Sequence, residues 1–382
     1  NKWNTDTNIF TDIFLKNIKR LNPDANQEDI KKIYNEISTC LSNEDLGKEF
    51  YEKIISKSGT KLIDFDEFSN NSLNIVTELI YKKDDEEFRP DITILINGMP
   101  LVFIEVKKPN NKDGILAEQK RIQKRFKNKK FRKFINITQI ILFSNNMEYD
   151  DSSHLPVEGA FYSTTSYEKS SLNYFREETH FDLNLILSKI SEEDENFILK
   201  DNNLVSIKNQ PEFKTNKDPD SPTNRICTSI LSPQRLAFFL KYGLVYVKSN
   251  KNIQKHIMRY PQFFACKAIE RELEKKVSKG IIWHTQGSGK TALVYFSLKN
   301  LLDYFQSKKT ISKYYFIVDR IDLLKQANKE FRSRGLVVHN INSRDDFVKD
   351  IRSKKAIHNN LGKDEITVVN IQKFKNDTNI FK

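Results

Sequence analysis

The segment Thr285-Gln286-Gly287-Ser288-Gly289-Lys290-Thr291 limits the possible folds of this chain more than any other. It follows the apolar run Ile281-Ile282-Trp283-His284, read as a strand, and precedes Thr291–Phe305, read as a helix. Gly287, Ser288 and Gly289 let successive amides point into one cradle for phosphate oxygens. Lys290 brings positive charge to the β and γ phosphates of a nucleotide, and Thr291 offers a hydroxyl to magnesium. The helix N-terminus adds its own partial positive charge. A strict GxxxxGK[ST] pattern wants glycine at position 284, where His284 stands, so this loop is of a variant type. Such a loop belongs in a mostly parallel α/β sheet. The chain downstream alternates accordingly: a strand over Tyr314–Val318, a helix over Leu323–Arg332, and strands over Leu336–Val338 and Ile366–Asn370. Pro233–Leu240 and Asn252–Lys276 read as helices. Within the latter, Gln262 carries a donor and an acceptor suited to an adenine edge, and Tyr260 a ring to stack on the base. Asp319-Arg320 and the span through Gln372-Lys373 follow strands, where working loops gather. Either reads as a contact to a nucleic-acid backbone or as an ordinary helix start.

A second constellation lies far upstream. Asp91–Ile96 and Leu101–Lys107 read as strands joined by the hairpin signal Asn97-Gly98. Glu105 and Lys107, two apart, point to one face. The hairpin folds Asp91 back beside Ile104 and Glu105, so two carboxylates meet. A divalent cation relieves their repulsion, and hard oxygen ligands suit magnesium, with the carbonyl of Val106 completing the set. Lys107 then orients water or steadies charge on a phosphate, which is the chemistry of phosphodiester hydrolysis. Glu78, on a helix predicted over Leu73–Tyr81, is the best candidate for a third carboxylate, ahead of Glu86 and Glu87. The bland alternative is a surface Glu–Lys pair on an amphipathic hairpin.

Residues 114–127 read as a very basic helix. Gln119, Lys120, Gln123, Lys124 and Arg125 are its candidate DNA contacts, while Ile122 and Phe126 bury the other side. The formal charge of +12 agrees with a polyanionic partner without establishing one.

At 382 residues the chain is too long for one ordinary core. The reading is an N-terminal segment over 1–24, an α/β domain over 25–206, a proline-marked linker over 207–225 and a parallel-sheet domain over 226–382. Asn26 is a predicted cap for a helix over Glu28–Ser38. Cys40, Cys227 and Cys266 are too scattered for a disulfide framework, and no histidine spacing gives a zinc motif. No apolar run is long enough to cross a membrane, so a cytoplasmic setting is predicted. The chain starts without Met and its far end looks cut.

The motifs together resemble the restriction, or motor, subunit of Type I restriction–modification enzymes. Phe88-Arg89-Pro90-Asp91 through Glu105-Val106-Lys107 looks like that family's nuclease segment, and Arg259-Tyr260-Pro261-Gln262 like its adenine-side motif. Gly280 through Thr291 looks like its ATP loop. Val318-Asp319-Arg320 and Ile371-Gln372-Lys373-Phe374 match its later helicase segments. The resemblance implies a PD-(D/E)xK restriction-endonuclease-like α/β domain followed by a partial RecA-like superfamily 2 domain. It implies ATP-driven translocation on double-stranded DNA, magnesium-dependent cleavage, and assembly with modification and specificity subunits. Asp91 and Glu105 carry over as metal ligands, Lys107 as the catalytic lysine, and Glu78 as an acidic partner. The family's Gln-x-x-x-Tyr element is incomplete, because Gln119 is followed at that spacing by Gln123. The acidic ATPase box and second motor lobe are absent, so little ATPase and no translocation are expected of this stretch alone.

Overall fold

The computed structural model describes residues 3–109, 114–150, 152, 158–248, 252–341, 343–360 and 362–374. Contacts divide the chain into two units, 1–241 and 242–382.

The first unit opens with helices α1 (Thr11–Leu21), α2 (Gln27–Cys40) and α3 (Lys48–Ile54). Asn26 caps α2 as expected: its Oδ1 accepts the Asp29 amide at 2.8 Å, and Asp29 accepts the Asn26 amide in return. The predicted helix over Leu73–Tyr81 is instead strand β1 (Leu73–Thr77), followed by the small pair β2 (Tyr81–Lys83) and β3 (Glu86–Phe88). Leu73-Asn-Ile-Val-Thr alternates and is rich in β-branched residues, and it finds a partner in β4 (Ile92–Ile96), from Leu73↔Ile96 to Thr77↔Ile92. Strand β5 (Met99–Val106) returns antiparallel to β4. Helices α4 (Gly114–Lys127) and α5 (Arg132–Ile137) then cross over to β6 (Ile140–Ser144), which lies parallel to β5. Strands β7 (Ala160–Ser163) and β8 (Asn173–Tyr174) complete a six-stranded sheet in the order β1-β4-β5-β6-β7-β8.

Helices α6 (Leu183–Ile186), α7 (Glu192–Asp201), α8 (Pro211–Asn216), α9 (Pro222–Leu231) and α10 (Pro233–Tyr242) follow. The sequence reading put a linker at 207–225. There Pro211 and Pro222 start helices, the position at which a missing amide costs nothing. Helix α9 is tied to the sheet, with Thr223 Oγ1 and Ser144 Oγ 2.8 Å apart. Cys40 and Cys266 are buried, and burial pushes Cys40 up to about 12 and Cys266 up to about 11.

The Asn97-Gly98 turn anchors this unit. Both residues take positive φ, 50° and 81°, as the mirror-image hairpin turn requires. The Asn97 side chain is buried, donating to Leu62 O at 2.9 Å and Asn71 Oδ1 at 2.8 Å and accepting from the Ser72 amide at 2.8 Å. A Cβ on Gly98 would stand 2.7 Å from both Phe10 O and Phe14 N at the start of α1. Gly98→Ala is therefore expected to destabilise the fold by about 2–4 kcal/mol, from left-handed strain plus overpacking, read by urea denaturation.

The second unit begins with the hairpin β9 (Leu244–Lys248) and β10 (Ile253–Ile257). The helix expected over Asn252–Lys276 thus begins only at Tyr260, as α11 (Tyr260–Glu274), with Pro261 in its first turn. Next come α12 (Lys290–Ser307), β11 (Tyr315–Val318), α13 (Ile321–Ser333), β12 (Val337–Asn340), α14 (Arg344–Arg352) and β13 (Glu365–Asn370). The strands β11-β13-β12 form a parallel sheet. Ile281–His284, expected as a strand, forms none. No described strand pairs with it, and Ile281 and Trp283 are each 91% exposed.

Candidate active site and nucleotide loop

The register of β4 and β5 sets Ile92 against Ile104, so Asp91 comes up against Glu105 at the sheet's end. Asp91 Oδ2 accepts the Val106 amide at 2.8 Å, which locks the carboxylate over the strand. The group of Val106 tied to Asp91 is thus its amide. Lys107 Nζ lies 2.8 Å from Glu105 Oε1, 3.4 Å from Glu118 Oε2 and 3.9 Å from Asp91 Oδ2. Arg121 closes the far side, with Nη2 2.9 Å from Glu105 Oε1 and Nε 2.9 Å from Glu118 Oε1. Asp91, Glu105 and Lys107 therefore converge, as the sequence predicted.

Glu78 does not join them. It lies past the end of β1, not on a helix, and its exposed carboxylate sits 3.7 Å from Arg89. Its amide instead holds the Asp91 carbonyl at 2.9 Å. The third carboxylate is Glu118 of α4, which sequence reasoning missed. One signal was present: Glu118 is the sole acidic residue in a strongly basic helix, on the same face as Arg121 and Arg125. Gln119 is buried and its side-chain amide donates to Ser170 O, so it is an internal tie and not a surface contact. Gln123 is half-buried, while Lys120 and Lys124 are exposed. The Arg125 guanidinium lies 4.6 Å from the Phe88 ring, and its buried Nη1 has no hydrogen-bond partner among the described residues.

The electrostatics follow from crowding. Burial, then the charge of Glu105, raises the Asp91 carboxyl above the ordinary range, against the pull of the Val106 amide and Lys107. Glu105 is also raised, by burial first and by Glu118 beyond that, against the hydrogen bond from Lys107. Burial works to lower the Lys107 ammonium, but its bond to Glu105 and the charges of Glu105, Glu118 and Asp91 outweigh it and raise it. Glu105 Oε2 is buried and has no hydrogen-bond partner among the described residues. A raised, orphaned carboxylate oxygen beside a second carboxylate is a donor set that suits a hard divalent cation.

In the second unit, Gly289 at φ 83° caps α12, and Lys290 Nζ donates to Thr285 O at 2.8 Å. Thr291, in the first turn, is half-buried. Gln262 is buried with both ends of its amide engaged: Oε1 accepts the Arg259 amide at 2.9 Å, and Nε2 donates to Gly289 O at 3.1 Å. Expected as a reader of adenine, Gln262 here braces the loop's backbone. A Cβ at Gly289 would stand 2.6 Å from that Nε2. Arg259 precedes α11 and is exposed, and Tyr260 begins the helix. Ser288 Oγ is buried without a partner among the described residues. Arg320 precedes α13 and lies 3.4 Å from Asp322, an exposed pair. Lys373 lies in the short turn after β13, and its side chain falls outside the described residues.

These features define an α/β chain with a carboxylate–lysine cluster in one unit and a glycine-capped loop and parallel sheet in the other. Residues 261–382 match the SWI2/SNF2 ATPase family, and residues 2–150 match the Type I restriction enzyme R protein N terminus. A putative type I restriction enzyme endonuclease subunit of Methanocaldococcus jannaschii is 26% identical over 347 residues, covering 86% of this chain and 28% of that protein. A second from the same organism is 24% identical, over 85% of this chain and 30% of that protein. A type I restriction enzyme endonuclease subunit of Staphylococcus aureus (strain COL) is 25% identical, over 70% of this chain and 23% of that protein. Over most of its length the chain is thus similar to the endonuclease, or R, subunits of Type I restriction enzymes. It spans less than a third of the length of these relatives.

Proposed function

We propose that the first unit is a PD-(D/E)xK-type nuclease cutting double-stranded DNA, and that the second binds ATP as part of a translocating motor within a Type I complex. The convergence of Asp91 and Glu105 on Lys107, with an orphaned Glu105 oxygen, carries the nuclease reading. Asp91 and Glu105 would hold magnesium, with the Val106 carbonyl as a further ligand. A bound magnesium ion would supply Lewis acidity toward the phosphate and acidify a water. Lys107 holds an ammonium beside that position, where it orients the attacking water and balances charge growing on the phosphate. Arg121 and Arg125 meet the flanking phosphates, and Lys120 and Lys124 face the duplex more loosely. In the second unit, Gly287 through Thr291 cradle the nucleotide phosphates, with magnesium at Thr291. Arg320 and Lys373 are the proposed backbone contacts of the motor. Modification and specificity subunits are the proposed partners, and the cytoplasm the proposed setting. Among the described residues no helix is long and apolar enough to cross a membrane.

Metal binding tests the reading directly. Magnesium needs both carboxylates ionised, and both are raised above their ordinary values. Protons therefore compete over an elevated window, and affinity grows as pH rises through it. The sign for the metal-free fold is opposite: raised carboxyls favour folding below their unfolded values, and that contribution is lost as pH climbs. The thermal shift produced by saturating magnesium should accordingly grow as pH rises above the ordinary carboxylate range. Asp91→Ala and Glu105→Ala should abolish it. A magnesium shift that survives both substitutions would remove the nuclease assignment.

A further inference from the structure

The connection between the parallel neighbours β12 and β13 carries a separate cluster of ligating side chains. His339 stands on β12, Asp350 near the end of α14, and His358 in the segment beyond it. One ligand atom from each lies within 4.8 Å of the others. His358 is gripped from both sides, with Nδ1 2.6 Å from Glu365 Oε1 and Nε2 2.6 Å from Asp350 Oδ1. Glu365 is itself fixed, accepting the amides of His358 at 3.1 Å and Asn359 at 3.0 Å and the Asn359 side chain at 3.0 Å. Tyr315 donates its hydroxyl to Asp350 Oδ2 at 2.6 Å. The His339 ring stacks on His358 with centroids 4.0 Å apart, and has no hydrogen-bond partner among the described residues.

A neutral imidazole has one N–H. Glu365, held rigidly by three other donors, takes it at Nδ1. Nε2 then presents a lone pair to an Asp350 oxygen, and two lone pairs that close require a cation between them. A proton would serve that pair alone. It would leave the His339 nitrogen, gathered into the same group, with nothing to do. A metal ion employs all three atoms. The carboxylate–imidazole arrangement of Glu365 and His358 is the usual outer support of a metal-bound histidine, and Tyr315 supports Asp350 in the same way.

We propose that His339, Asp350 and His358 bind one divalent transition-metal ion of the zinc class, with Glu365 and Tyr315 as positioning residues. Two imidazoles and a carboxylate form a borderline donor set that magnesium, which prefers oxygen alone, does not favour. Zinc bonds of about 2.0–2.1 Å in tetrahedral geometry set neighbouring ligand atoms about 3.3 Å apart, so the Nε2–Oδ1 gap opens by several tenths of an ångström on binding. A fourth position stays open to water. The ion would close the α14 crossover onto its own strand, coupling metal binding to the stability of the second unit.

The test is calorimetric titration of the chain with zinc chloride, in saturating magnesium so that the carboxylate cluster of the first unit is occupied. One equivalent should bind. Glu365→Gln should weaken it by about 10–100-fold, the usual effect of losing an outer-shell carboxylate, and His339→Ala by at least as much. Asp91→Ala should leave it within about twofold, since a substitution that touches no ligand or outer-shell partner forfeits none of the binding energy. X-ray absorption on the unmutated, cobalt-loaded chain supplies a variant-free readout, with two imidazole nitrogens expected. Absence of zinc uptake, an all-oxygen shell, or an affinity that follows Asp91 and ignores His339 would overturn the assignment.

Discussion

Lys107→Ala, placed in a complete Type I complex containing this chain, should lower double-strand cleavage by about a thousandfold while ATP-driven translocation continues. The ammonium lies within 4 Å of three carboxylates, 2.8 Å from Glu105, 3.4 Å from Glu118 and 3.9 Å from Asp91. Its removal takes away the charge proposed to face the phosphate. It also leaves Glu105, 1% exposed, with Arg121 as its one remaining ion-pair partner among the described residues. Breaking a buried pair in this way commonly costs about 3–5 kcal/mol, so some loss of stability should accompany the loss of cutting. Translocation by the same preparation separates the two effects. Movement retained with cutting lost assigns Lys107 to the chemistry, and unchanged cutting would remove it.

Lys290→Ala should have the wider consequence. Lys290 is exposed at the first turn of α12, and among the described residues its ammonium is held by the Thr285 carbonyl at 2.8 Å, a bond readily exchanged for phosphate oxygens. A charge-assisted contact of this kind is worth about 1.5–3 kcal/mol, so ATP affinity should fall by about 10–100-fold. In the complete complex, ATP hydrolysis, translocation and the cleavage that follows translocation should all be lost. Equilibrium binding of a fluorescent ATP analogue and single-turnover hydrolysis check this. The two substitutions thus differ in kind: Lys107 removes cutting alone, Lys290 removes movement and cutting together. ATP binding unaffected by Lys290→Ala would mean that the glycine-capped loop is a structural turn.

Much of the candidate site was legible from local chemistry. Asn97-Gly98 specified a tight turn because few other pairs tolerate positive φ twice. Once the turn was placed, period two carried Asp91 to Glu105 and set Lys107 on the same face. The helix expected over Thr291–Phe305 is α12, which starts one residue earlier, at Lys290 after Gly289. The errors share one cause. Leu73–Thr77 and Ile253–Ile257 are five-residue segments too short for periodicity to separate a helix from a strand, and β4 and β9 decided the matter by offering hydrogen-bond partners. Ile281–His284 failed in the opposite direction, since its strand propensity meets no partner in the described sheet.

What the sequence by itself determined is local: turns, caps, a phosphate loop, and the spacing of Asp91, Glu105 and Lys107 along one hairpin. Only the tertiary structure decided which distant groups complete each site. It brought Glu118 and Arg121 to Lys107, sent Glu78 to Arg89, and turned Gln262 onto the Gly289 carbonyl. It also gathered His339, Asp350 and His358, whose separations along the chain match no ligand motif. The reason is physical: backbone geometry fixes neighbours a few residues apart, whereas charges from separate elements meet only where packing leaves them no solvent to turn to.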